Sequence, residues 1–221
     1  MTDGHRANAR TLCDAAITRG RPLAWFEELY SAANGDAATI PWADLEPNPN
    51  FVAWHRASGH DFLGQRCLKV GCGLGDDCEY LQAAGGVVTG FDISRTAIEW
   101  CKRRFPGSSV AYSVVDLFSP PEDWLGAFDF VLESYTLQVL PNELQRVAME
   151  AISRFVAAEG TLLVICRARD ESLTAGQMPW PLTRRDLATF ETCGLSLVGC
   201  EEYDDHENPP VHRIRATYKR A

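Results

Sequence analysis

The sequence predicts an α/β fold: a doubly wound, seven-stranded sheet, mainly parallel, with one antiparallel strand in a C-terminal hairpin and a group of helices ahead of the sheet. Three observations carry that prediction. From residue 67 onward short apolar runs alternate with helical periodicity, a glycine-rich turn joins the first run to the first helix, and two strand-like runs follow one another near the end. Alternation implies right-handed crossovers with helices on both faces, whereas two adjacent strands joined by a short connection pair as a hairpin.

Taken in order, a polar helical segment covers about residues 5–19, and a second short helix opens after Pro22 with Trp25, Phe26, Leu29 and Tyr30 at helix-face spacing. A loop punctuated by Asn34-Gly35, Pro41, Pro47 and Pro49 leads into a helix over 50–58. The pattern then reads strand 67–71, helix 74–84, strand 87–92, helix 94–104, strand 110–116, strand 128–133, helix 141–156, strand 160–167, helix 183–193 and strands 195–203 and 211–218. The chain reads as a single domain, 1–221, with N-terminal helices and a lid over 1–60 and the sheet over 67–218. Residues 22–49 are expected to close over a ligand rather than to join the core.

Composition narrows the function classes. The 221 residues are 46% hydrophobic and 23% charged, ordinary for a globular protein, and the net charge of -9 comes with scattered Lys and Arg. No basic stripe is available for nucleic acid or an anionic membrane surface, and no segment has the roughly 18 apolar residues of a spanning helix. With no apolar signal region at the start, a cytoplasmic location is the expectation. The eight cysteines form no Cys-x-x-Cys and share no ligand spacing with the histidines, so they read as small hydrophobes rather than metal ligands, and no divalent metal is expected. Cys72 is set apart by lying inside the glycine turn.

Residues 68–92 carry the chemistry. Gly71, Gly73 and Gly75 let the backbone turn tightly and approach a ligand without Cβ interference, and Asp92 closes the next strand, where a carboxylate can accept both hydroxyls of a ribose. The spacing discriminates among nucleoside ligands. A dinucleotide fingerprint has its third glycine five positions after the first, and here that position is Asp76. A pyrophosphate would meet Asp76 and Asp77 at the helix start, which favours a cofactor without phosphates and disfavours a nicotinamide oxidoreductase.

This order of motifs, over residues 67–218, resembles the class I S-adenosylmethionine-dependent methyltransferases, whose fold is a Rossmann-like seven-stranded sheet. The resemblance implies S-adenosylmethionine as cofactor: the turn Gly71-Cys72-Gly73-Leu74-Gly75 at its methionyl part, Asp92 on its ribose, Ile93 packed on its adenine, and Asp116, followed by Leu117, at the adenine amine. The chain departs from the family where most members carry an acid two residues before the first glycine, since Lys69 stands there. Asp76 or Asp77 could take over the cofactor's amino group, or both could simply stabilise the helix N-terminus. The Trp25-Phe26 and Leu29-Tyr30 pairs, Pro41-Trp42 and Pro179-Trp180-Pro181 are similar to the small-molecule branch that includes thiopurine and tellurite-type methyltransferases. That similarity implies a small-molecule acceptor methylated on O, N or S; the alternative is a protein that senses the cofactor, or serves another methyltransferase, without turnover.

Open parallel sheets bind ligands beyond the carboxyl ends of their strands, and the remaining candidates sit there. Glu133 either takes a proton or holds the cofactor's amino group, or else caps the turn after its strand; Tyr135 is placed to face the acceptor. Arg167 and Arg169 either hold an acidic substrate or pair with Asp170 and Glu171. Tyr30, Trp42 and Trp180 are candidate pocket walls for the acceptor, Trp42 for the cofactor as well, and His55 reads as a surface or satisfied helix histidine rather than a catalytic base. The sequence leaves the oligomeric state open.

Overall fold

A computed structural model describes residues 3–221. Helices α1 (Asp3–Thr18), α2 (Ala24–Ala32) and α3 (Pro49–Ser58) precede β1 (Arg66–Val70). The chain then runs through α4 (Asp76–Ala83), β2 (Val87–Asp92), α5 (Arg95–Arg104), β3 (Ala111–Val114), β4 (Phe128–Ser134), α6 (Asn142–Ser153) and β5 (Val156–Arg167). Two short helices, α7 (Arg184–Leu187) and α8 (Thr189–Thr192), lead to β6 (Leu195–Asp204) and β7 (His212–Arg220). None of the described helices is long and apolar enough to cross a membrane.

The seven strands form one sheet in the order β3-β2-β1-β4-β5-β7-β6. All pairings from β3 to β5 are parallel. β7 runs antiparallel to β5 and to β6, so it is the single reversed strand and lies between two strands that point the same way. The chain moves outward from β1 to β3 and then returns to the other side of β1 for β4. That reversal opens a crevice beyond the carboxyl ends of β1 and β4.

Alternation along the strands divides the core between the two faces of the sheet. Leu68, Val70, Phe91 and Val131 pack with α1, α2 and α6, while Cys67, Val88, Phe130 and Leu132 pack with the aromatic side chains of α3 and with α4. Some predicted boundaries moved. β3 stops at Val114, so Asp116 lies in the following loop. β5 begins at Val156, earlier than expected, because Val156 pairs with Phe128 across a register shift; this also ends α6 at Ser153. The predicted helix 183–193 is split at Ala188, although its start is well marked by the capping box between Thr183 and Asp186.

The expectation that residues 22–49 stay outside the core is corrected for α2. Trp25 is fully buried, as its helix-face spacing suggests, and the unexpected members are Tyr30 and Ile40, nearly as buried; all three share a cluster with Leu68, Val70 and Phe91. What fixes α2 is Glu27. One of its carboxylate oxygens accepts from Ser94 Oγ (2.7 Å) and Thr96 N (3.1 Å), and the other from Thr96 Oγ1 (2.6 Å) and Ser31 Oγ (2.9 Å). Burial works to raise its pKa, but the hydrogen bonds from Thr96, Ser94 and Ser31 outweigh it and hold the carboxyl below its usual value. The stability this group contributes is therefore present above the ordinary carboxylate pKa and is lost as pH falls through the lowered folded value. Glu27→Ala is expected to cost about 1–3 kcal/mol at neutral pH, with the difference from wild type shrinking in acid; paired chemical denaturation curves at the two pH values check both.

Candidate cofactor and acceptor site

The crevice at the switch point is one cavity of about 780 Å³, within the range of small-molecule and cofactor sites. Its first half is built by the glycine turn between β1 and α4. Gly71 has φ of +57°, and a Cβ there would come within 2.4 Å of Thr136 Oγ1, so this position admits no side chain. Gly73, also at positive φ, faces the cavity, where a Cβ would press on Tyr30 Oη at 3.2 Å. The Gly73 N–H donates to Asp92 Oδ2 at 3.0 Å, and Ser94 N donates to Asp92 Oδ1 at 2.9 Å. Burial raises the pKa of Asp92, while the hydrogen bonds from Ser94 and Gly73 and the charge of Lys69 work against it.

Around this half lie Phe26, Ile93, Leu117 and Phe118, an apolar lining of the kind that packs on a flat ring. Asp116 is exposed at its edge, with Oδ1 accepting from Phe118 N at 2.9 Å and Oδ2 left without a partner among the described residues. A carboxylate beside two ring-lining loops, an apolar slot and a side-chain-free turn fit the ribose, base and methionyl parts of S-adenosylmethionine. Trp42 closes the same half: its Nε1 donates to Tyr30 Oη at 2.8 Å, and it packs edge-on against Trp25 and Tyr30.

Lys69 has a structural role that the sequence did not disclose. Its side chain is 3% exposed and its ammonium donates to Val70 O (2.8 Å) and Gly71 O (3.2 Å), with Asp77 Oδ2 at 3.9 Å. The lysine thus ties down the underside of the glycine turn. Of the two acids considered for the cofactor's amino group, Asp76 is held by Arg104 in a two-point ion pair of 2.7 and 2.8 Å. Asp77 accepts from Asn48 N and Ser134 Oγ and also lines the cavity.

The second half of the cavity is polar. Tyr135, at φ of +68°, accepts from Asn50 Nδ2 at 2.8 Å, and the Arg213 guanidinium lies 4.3 Å from its ring centre. Tyr203 donates to Asn50 Oδ1 at 3.0 Å. Arg167 ends β5, its backbone N–H held by Gln138 Oε1 at 2.6 Å. Burial raises the Tyr135 pKa, partly offset by Arg213 and by Asn48 and Asn50, so at neutral pH the phenol keeps its proton. Sequence reasoning missed Asn50, Gln138, Tyr203 and Arg213. None belongs to a local motif, and only the alternation of β7 marks Arg213 as facing the same side as Arg215.

The cavity wall thus brings together Gly71, Cys72, Gly73, Asp76, Asp92, Ile93, Asp116, Leu117, Tyr30, Trp42, Tyr135 and Arg167. Three candidates lie elsewhere. Gly75 is buried as the cap of α4, and Trp180 packs against the core with its N–H on Gln138 O. Glu133 is fully buried behind the wall, with Oε1 accepting from Thr136 N (2.7 Å) and Leu137 N (2.9 Å). Its strand-end position suggested contact with ligand; the side chain instead points inward and caps the turn, which removes it as the acceptor's base. Its other oxygen is buried without a partner.

Burial raises the Glu133 pKa from 4.5 to about 7, against the pull of Leu137 N, Lys69 and Thr136 N. The folded state therefore holds a proton that the unfolded state has released, and stability falls as pH rises from the ordinary value through the folded one. Glu133→Gln is expected to remove that fall, on the order of 3 kcal/mol, leaving cofactor affinity intact. Denaturation of both proteins from pH 5 to pH 8 reads it as a growing relative advantage of the variant; parallel curves would remove the assignment.

Comparisons with known proteins agree with this geometry. Residues 68–164 match the family described as Methyltransferase domain. A comparison with curated protein sequences finds no match. Among solved structures, one from work on the conversion of a disulfide bond into a thioacetal group during echinomycin biosynthesis superposes with a TM-score of 0.70 at 20% identity, covering 88% of this chain and 91% of the other. The 4+2 cyclase SpnF superposes with a TM-score of 0.69 at 16% identity, over 88% and 93% of the two chains. The N-methyltransferase NodS from Bradyrhizobium japonicum, in complex with S-adenosylhomocysteine, gives 0.66 at 18% identity, over 87% and 98%. At these identities the structures speak for the fold, and the matched segment includes the glycine turn, Asp92 and Asp116. Residues 68–164 thus match a methyltransferase domain, set on a seven-stranded fold that the chain shares with solved S-adenosylmethionine-dependent methyltransferases.

Proposed function

We propose that the protein transfers the methyl group of S-adenosylmethionine to O, N or S of a small-molecule acceptor by in-line displacement. The carrying observation is that one cavity joins the glycine turn and Asp92 to the polar wall of Tyr135, Asn50 and Arg167. The cofactor supplies a methyl carbon activated by a sulfonium, so the protein's task is to align the acceptor and exclude water. In this reading Gly71, Cys72 and Gly73 border the methionyl part, Asp92 holds the ribose, and Ile93, Asp116 and Leu117 border the base. Trp42 and Tyr30, one hydrogen-bonded to the other, wall off solvent.

Tyr135 is the group best placed to orient the acceptor. Its oxygen already accepts from Asn50, which leaves its proton free to meet a lone pair on the acceptor. A phenol that keeps its proton at neutral pH positions the nucleophile rather than deprotonating it. SpnF shows that this fold alone does not fix the reaction. N-methylation by NodS on the same fold supports methyl transfer as the chemistry. The deciding assay incubates the protein with S-adenosylmethionine and small aromatic alcohols, amines and thiols, and follows S-adenosylhomocysteine by mass spectrometry. Cofactor bound but never converted would overturn the reading.

Two variants sharpen it. Asp92→Ala is expected to weaken S-adenosylhomocysteine binding by about 1–3 kcal/mol, the scale of charge-assisted hydrogen bonds to a buried partner, and unchanged affinity by isothermal titration would remove the ribose assignment. Tyr135→Phe is expected to lower kcat/KM for the acceptor while leaving cofactor affinity as in wild type. Equal losses in both would place Tyr135 in the cofactor half instead.

A further inference from the structure

The polar end of the cavity contains an arginine that the fold itself leaves without a partner. Arg167 of β5 and Arg213 of β7 are directly paired across the antiparallel ladder, which sets two guanidinium-bearing residues side by side. Like charges in that relation are destabilising unless anions separate them. Arg213 is 1% exposed and receives two: its Nε donates to Asp205 Oδ2 at 2.6 Å and its Nη2 to Glu207 Oε1 at 2.6 Å. Glu207 also pairs with Arg6 at 3.2 Å. Two carboxylates thus neutralise two guanidiniums, Arg6 and Arg213, and Arg167 is left over.

Among the described residues the Arg167 side chain makes no hydrogen bond or ion pair, and its Nε is buried without a partner. Nη1 of Arg213, its cross-strand neighbour, is also buried and unpartnered. Both residues line the cavity. Arg169, the other arginine of this strand end, is by contrast occupied by Pro181 O, Leu173 O and Asp186. A half-buried guanidinium whose Nε is shut off from solvent with nothing to accept from it, at the wall of a ligand cavity, is a costly arrangement for the fold alone.

We propose that the acceptor bears a carboxylate, bound by Arg167 with Nη1 of Arg213 beside it. This inference rests on the methyl-transfer reading and names the class of its substrate. The fork of donors suits a planar carboxylate, which can accept two parallel hydrogen bonds. A single negative charge suits the one guanidinium here that lacks an ion-pair partner, and Asp44, Asp205 and Glu207 on the same cavity wall would repel a second charge such as that of a phosphate dianion. Burial, followed by the charges of Arg213 and Arg6, pushes the Arg167 guanidinium below its ordinary pKa, with Glu207 and Asp205 opposing. An anion in the cavity would relieve that pressure. The carboxylate fixes one end of the acceptor near β5 and β7, and Tyr135, at the end of the adjacent β4 and so one strand nearer the glycine turn, meets the other.

The test uses the full chain loaded with S-adenosylhomocysteine and titrates it with acetate, benzoate and 4-hydroxybenzoate, each beside its neutral amide. The expected result is that at least one carboxylate binds about tenfold or more tightly than its amide, the scale of a charged hydrogen-bonded pair. Arg167→Gln should abolish that preference while keeping S-adenosylhomocysteine affinity, and Arg167→Lys should restore part of it. The ligand-free Arg167→Gln protein should melt at the same temperature as wild type or higher, because a like-charge pair is removed. With S-adenosylhomocysteine bound, no carboxylate preference in wild type, or one that survives in Arg167→Gln, overturns the proposal. So does a lower melting temperature in the ligand-free variant, which would make Arg167 a structural residue. Failure of S-adenosylhomocysteine to bind wild type overturns instead the function on which the proposal stands.

Discussion

A carboxylate withdrawn from water organises the cofactor half of the molecule. Asp92 is 8% exposed, and its two oxygens hold the backbones of two different loops, Gly73 on one side and Ser94 on the other. Ser94 then passes the constraint on. Its hydroxyl accepts from Ala97 N, which starts α5, and donates to Glu27, which holds α2 against the sheet. Since α2 carries Phe26 and Tyr30 into the cavity wall, the glycine turn, the following helix and the N-terminal wall all take their positions from one side chain. Hydrogen bonds to charge, worth more than those between neutral groups, offset only part of its burial cost, and its pKa stays raised.

The second constraint lies beneath the turn, where Lys69 is enclosed among Asp77, Asp92 and Glu133. Burying one ammonium near three carboxyls is tolerable only if the cation is satisfied and not every acid is ionised. Lys69 meets the first condition through Val70 O and Gly71 O. Glu133 meets the second, because its raised pKa lets it hold a proton near neutrality. The residue that breaks the family pattern is thus part of the support for the loop that the family pattern defines.

What the sequence disclosed was what is encoded locally. The strand-helix rhythm, the glycine turn and Asp92 depend on neighbours within about 25 positions in the chain, and all three led to the fold and the cofactor. The terminal hairpin was also legible, because adjacent strands pair, but its insertion of β7 beside β5 was not, since that pairing is non-local. Glu133 misled because strand-end position says nothing about which way a side chain points after the last ladder residue. Trp180 misled in another way: a loop tryptophan between prolines can be pinned into the core by one backbone hydrogen bond, here to Gln138. Asn50 was invisible because its partners, Tyr135 and Tyr203, come from distant elements, and Arg213 because no local motif marks its pairing with Asp205 across the hairpin.

The reversed strand has a consequence for how such a protein can diversify. Because β6 runs with the parallel strands, its carboxyl end and the connection into β7 arrive at the same rim as the glycine turn, carrying Tyr203, Asp205, Glu207 and Arg213 to the cavity. These residues sit in one contiguous stretch of chain, far from the motif that holds the cofactor. Under the proposed function, exchange of a single hairpin tip changes the acceptor end of the cavity while the glycine turn and Asp92 are inherited unchanged, so that recognition of the two ligands drifts at independent rates.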